Sequence, residues 1–152
     1  MELSHCSSHA RGESVLFKKG LGEVYAEARE TVLASRVKLA SDRAENSLRV
    51  IRDCIMRELS GRGWKIGETI FPPSAPASFH RGHYRLDATK KAGGGGVLGI
   101  ICHFGGSEFL VRKLMLISEA VRGEVVDCCV LALITRNIKP YISVRPACYE
   151  QA

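Results

Sequence analysis

The chain has 152 residues, 45% of them hydrophobic and 25% charged, a length that suits one domain and a composition that excludes a disordered or collagen-like polypeptide. Its formal net charge is +6, and the excess is concentrated in residues 61–91, where six basic residues meet only two acidic ones. Such a local basic surface is what a phosphate-backbone binder carries, while the longest apolar runs, Val97–Cys102 and Val125–Thr135, are broken or too short for the roughly 20 residues that span a bilayer.

The polar start Met1-Glu2-Leu3-Ser4-His5 leads into no apolar signal segment, so the expectation is a cytoplasmic protein without a membrane partner. Residues 1–20 show no periodicity and read as a loose arm, leaving 21–152 as a single domain. From Leu21 to about Leu39, Leu21, Val24, Tyr25, Ala28, Val32 and Leu33 recur at helical steps and predict an amphipathic helix. A second helix is expected from an N-cap at Ser41 or Asp42 to a stop at Gly61, with Leu48, Ile51, Ile55 and Leu59 as its apolar stripe. Its other face interleaves charges of both signs, Arg52 and Asp53 among them, and reads as solvated. Trp64–Phe71 alternates as a half-buried strand, and a stiff, basic loop with Pro72, Pro73 and Pro76 leads to a short strand over Tyr84–Thr89. The run Gly93–Gly96 then predicts a hairpin turn into a buried strand, Val97–Phe104.

A helix follows Gly105-Gly106-Ser107, with Phe109, Leu110, Lys113, Leu114, Ile117 and Val121 along one side and Gly123 as its end. Val125–Thr135 reads as another buried strand, and Tyr141–Val144 as a last short one. Hairpin-linked strands are antiparallel and a helical crossover joins parallel ones, so the fold class is α/β with a mixed sheet flanked by helices.

Several familiar chemistries fail on spacing. Gly93–Gly96 precedes a strand and carries no Gly-Lys-Ser/Thr, so it is not a phosphate loop of the Walker type. Neither Cys128-Cys129 nor Cys102-His103 has zinc-ligand spacing, and Cys54, Cys102, Cys128 and Cys129 lie in apolar stretches as reduced packing residues. Neighbours on a strand point to opposite faces, so Cys102 is expected in the core and His103 on the other side. Asp87, near a strand end and across a hairpin from a buried strand, is placed as metal-dependent phosphodiester cleavage would use it.

From Ala44 to Thr135 the chain resembles the type II restriction endonucleases of the Bgl/Bst group, which belong to the PD-(D/E)XK nuclease superfamily. The resemblance rests on Glu45-Asn46-Ser47, Leu59-Ser60-Gly61-Arg62-Gly63-Trp64-Lys65, Leu86-Asp87-Ala88-Thr89-Lys90, Gly99-Ile100-Ile101-Cys102-His103-Phe104-Gly105 and Val130–Thr135. It implies a restriction-endonuclease-like core, a homodimer, and Mg²⁺-dependent hydrolysis of double-stranded DNA. In that site Asp87 and the backbone carbonyl of Cys102 hold Mg²⁺, Glu45 or Asn46 completes the shell, and His103 orients or deprotonates water. Phe104-Gly105 fits the family's second strand, but Ile101 stands where it has a glutamate and His103 where it has a glutamine. The corresponding alternative is a catalytically inactive nuclease fold that binds DNA or a protein. Arg62, Lys65, Arg81, Arg85, Lys90 and Lys91 are the expected phosphate contacts.

Overall fold

The computed structural model describes residues 12–35, 47–71, 84–104 and 109–134. Among these residues, four helices and four strands run in the order α1 (Gly12–Lys18), α2 (Gly22–Ala34), α3 (Leu48–Gly61), β1 (Lys65–Ile66), β2 (Ala88–Lys91), β3 (Val97–Cys102), α4 (Leu110–Arg122) and β4 (Cys128–Ala132). The strands form one mixed sheet ordered β1-β2-β3-β4. β1, β2 and β3 pair antiparallel, and the α4 crossover brings β4 in parallel to β3, as the sequence predicts.

The sheet separates two apolar layers. Leu21, Val24 and Ala28 of the α2 region and Ile51, Ile55 and Leu59 of α3 cover one face, meeting Ala88, Leu98, Ile100 and Cys102. Leu116 and Ala120 of α4 cover the other, meeting Leu86, Ile101 and Val126. The stripe Ile51, Ile55, Leu59 is almost wholly buried, and each such side chain contributes about 1.5–3 kcal/mol by leaving water. Cys102 and Ile101 fall on opposite faces, as strand alternation requires.

Several boundaries differ from the sequence expectation for local reasons. Residues 12–18 of the expected loose arm form α1, whose Leu16 packs on the main core, and Lys19 pairs with Asp127 at 2.8 Å. The N-cap of α3 is Ser47, whose Oγ accepts from the Arg49 N–H at 3.2 Å; Ser41 and Asp42 lie outside the described residues. β1 stops after Ile66 because Gly67 takes a left-handed φ of 75°, and only a single bridge, Thr69 to Arg85, continues the pairing. β2 begins at Ala88, four residues later than expected. The hairpin turn is held by Ala92 N–H to Gly96 O at 2.7 Å, and a Cβ at Gly96 would lie 2.7 Å from the Lys19 carbonyl, so only glycine fits there. The last expected strand, Tyr141–Val144, lies outside the described residues. Among the described residues no helix is long and apolar enough to cross a membrane.

α4 also turns differently from its expected orientation. Leu110, Leu116 and Ala120 are its buried residues and Lys113 sits half-buried among them, whereas Phe109, Leu114 and Val121 are exposed. A lysine therefore lies on the sheet-facing side of this helix.

Candidate functional site

Asp87 sits at a bend just before β2. Its neighbours Leu86 and Ala88 belong to different apolar layers, although alternation would put both on one face. The bend turns the carboxylate inward, where its side chain is only 7% exposed. Pairing of Ala88 with Ile100 sets Asp87 beside the end of β3, and the Asp87 N–H donates to Ile100 O at 3.0 Å. The Cys102 N–H then donates to Asp87 Oδ2 at 2.7 Å. Asp87 Oδ1 accepts from Arg52 Nε at 3.1 Å and also from Arg52 Nη2.

Both carboxylate oxygens are thus occupied, one by a backbone donor and one by a guanidinium delivered from α3. The guanidinium is half exposed but the carboxylate is not, so removing Arg52 would cost about 3 kcal/mol by leaving the buried Asp87 charge without compensation. Burial works against the charge on Arg52, but the bond to Asp87 and its negative charge outweigh this and raise the Arg52 pKa. The Cys102 thiol is pushed far up by burial and then by the Asp87 carboxylate, so it is a packing thiol rather than a nucleophile.

Of the residues expected to hold Mg²⁺, the structure brings Asp87 and Cys102 together, but through the Cys102 N–H. Ile101 is fully buried against α4, so the position of the missing glutamate is apolar. His103 is buried, and its N–H donates to Ala132 O at 2.9 Å in the ladder to β4. Glu45 and Asn46 lie outside the described residues. Mg²⁺ requires several oxygen ligands in octahedral array. Here a single carboxylate already carries a cation on one oxygen, and no cluster of three or more His, Cys, Asp or Glu occurs among the described residues. The described donor set does not fit Mg²⁺.

The expected phosphate contacts divide. Arg62 pairs with Glu30 at 3.3 Å and Lys90 with Glu27 at 2.7 Å. Lys65 lies 2.5 Å from Glu68 Oε2, an ion pair without hydrogen-bond alignment. Arg85 and Lys91 are exposed and make no ion pair among the described residues, and Arg81 lies outside them. Lys65, Lys90 and Lys91 line an open cavity of about 310 Å³ with Glu68 and Thr89, but two of these lysines are already neutralised.

Sequence reasoning missed Arg52, Arg112 and Lys113. The Arg112 guanidinium lies 5.9 Å from the Tyr84 ring centre, and Tyr84 meets Phe71 edge-on at 5.3 Å. Burial holds the Lys113 ammonium below the ordinary lysine range; Asp87 opposes that shift, whereas Arg52 and Arg112 add to it. The signal for Lys113 was its helical spacing among apolar residues, which marks a charge that is not fully solvated. No protein-family model matches the chain, and no curated protein matches it.

Proposed function

We propose that this chain is a DNA-binding domain built on a restriction-endonuclease-like core, in which Arg52 supplies the positive charge beside Asp87 and binding of double-stranded DNA needs no metal. The observation that carries the reading is the Arg52 guanidinium on Asp87 Oδ1, with the apolar Ile101 buried at the next position of the motif. A guanidinium neutralises the carboxylate as a cation would, but it activates no water. The element order supports the core assignment: a helix, an antiparallel hairpin with an aspartate at its mouth, then a crossover helix into a parallel strand. Electrostatic attraction to phosphates supplies affinity without reading sequence.

One observation favours metal-dependent cleavage as a second reading. α3 already delivers one side chain to Asp87, and Glu45 and Asn46 stand just before the Ser47 cap of that helix. A site completed from there would use Mg²⁺ as the resemblance implies.

Incubation with plasmid and with a labelled duplex, in Mg²⁺, in Mn²⁺ and in chelator, separates the two. The expected result is salt-sensitive binding in chelator and intact plasmid in either metal. Discrete metal-dependent cuts that vanish in Asp87→Ala would overturn it in favour of the nuclease, and absence of duplex binding at any salt would remove both.

A further inference from the structure

We infer that the DNA backbone is held at the Asp87 end of the sheet by a cluster of Lys113, Arg112 and the exposed edge of Arg52, rather than by the hairpin lysines. The inference deepens the proposed function and rests on its claim that the chain binds duplex DNA. Its ligand is a phosphodiester group.

Three observations converge on this place. First, the charges do not cancel. Asp87 Oδ1 is taken by Arg52, which remains 46% exposed, and Asp53, the other described carboxylate that acts on Arg52, is paired with Arg49 at 3.5 Å. Lys113 lies close enough to sense both Asp87 and Arg52, and it makes no ion pair among the described residues. Second, Lys113 is held half-buried on the sheet-facing side of α4, between the buried Leu110 and Leu116. A partly desolvated ammonium without an ion-pair partner among the described residues is a poor structural element and a strong hydrogen-bond donor to an anion, because low dielectric raises its attraction for an arriving charge. Third, Arg112 is exposed and rests against the Tyr84 ring, so its guanidinium is oriented at the same end without being tied to an acid.

Three of the hairpin cations have the opposite character, whereas Lys91 is exposed and makes no ion pair among the described residues. Lys90 is held by both Glu27 oxygens and by the Arg62 carbonyl, and Arg62 and Lys65 each face a glutamate. Their charge is already matched, so a phosphate would have to displace a carboxylate.

The test is titration of a short fluorescein-labelled duplex over a range of salt, in chelator, with wild type, Lys113→Met, Lys113→Arg, Arg112→Gln and, as a charge-matched control, Lys18→Met on the exposed side of α1. Lys113→Met is expected to bind about tenfold more weakly at low salt and to lower the slope of log K against log salt by about 0.9, the loss of one phosphate contact. Lys113→Arg should retain the wild-type slope, Arg112→Gln should lose part of the affinity, and Lys18→Met should match wild type. In the absence of DNA, Lys113→Met should also melt above wild type, because it removes a charge from a half-buried place. Lys113→Met and Arg112→Gln binding like wild type with unchanged slopes would overturn the inference while leaving the proposed function standing. Should Lys113→Met not fold, the exposed Arg112→Gln decides alone. A wild-type chain that does not bind duplex would instead remove the proposed function itself.

Discussion

Two ion clusters sit at opposite ends of β2, and they are built on different principles. At the hairpin end, the Glu27 carboxylate of α2 accepts from Lys90 Nζ at 2.7 and 2.9 Å and from Trp64 Nε1 at 2.6 Å. One negative charge meets one positive charge and an indole N–H, and the lysine's further hydrogen bond goes to the Arg62 carbonyl at 2.8 Å. This cluster is closed and ties α2 to the sheet. At the other end, Asp87 is bound by Arg52 and acts on Lys113, which Arg52 and Arg112 also act on, so among the described residues positive charge remains in excess. Charges that cancel inside the fold hold elements together, whereas charges left in excess at a half-open place are available to an anion from outside.

The largest effect separating the two ends is expected at Arg52. Arg52→Met leaves the buried Asp87 carboxylate with the Cys102 N–H as its remaining hydrogen-bond donor among the described residues, and should lower unfolding free energy by about 3 kcal/mol in urea titrations. A loss below about 0.5 kcal/mol would place Arg52 with ordinary surface cations.

Glu27→Gln should have a smaller effect, about 2 kcal/mol at neutral pH, and no effect on duplex affinity. Its pH dependence follows from the bond to Lys90, which, despite burial, and with help from Trp64, holds the Glu27 carboxyl below its ordinary value. A carboxyl depressed in the folded state stabilises above its unfolded pKa of about 4.3, and that contribution is lost as pH falls through the folded value. Asp127, held down by Lys19 and then by the Val97 N–H, behaves the same way. Stability should therefore decline below about pH 4, and the gap between wild type and Glu27→Gln should close in acid. A gap that persists unchanged at low pH would mean that Glu27 acts through packing rather than charge.

Much of this architecture is readable from local pattern, and the two clusters mark where local pattern stops. The α3 stripe, the glycine hairpin and the crossover helix follow from periods of 3.6 and 2 and from the turn chemistry of Gly93–Gly96. α1 escaped because it has only seven residues and its Leu16 is only partly buried, too short a segment to show a period. Asp87 stands out by its place before a hairpin, but its partner does not. Arg52 is 35 residues away and differs in no local respect from Arg49 or Arg57 on the same helix, and only the packing of α3 on the sheet selects it. Lys113 was visible as a member of the apolar spacing of α4. Its meaning depends on the sheet face beneath it, which no single helix records.

The most direct test of the account is a double-mutant cycle on the Arg52–Asp87 pair, measuring unfolding free energy for wild type, Arg52→Met, Asp87→Asn and the double variant. Asparagine keeps an acceptor for the Cys102 N–H while removing the charge. The account predicts that Asp87→Asn rescues most of the loss caused by Arg52→Met, a coupling of about 2 kcal/mol. Additive effects with no coupling would contradict it, since Arg52 would then not be the cation that Asp87 is built to hold.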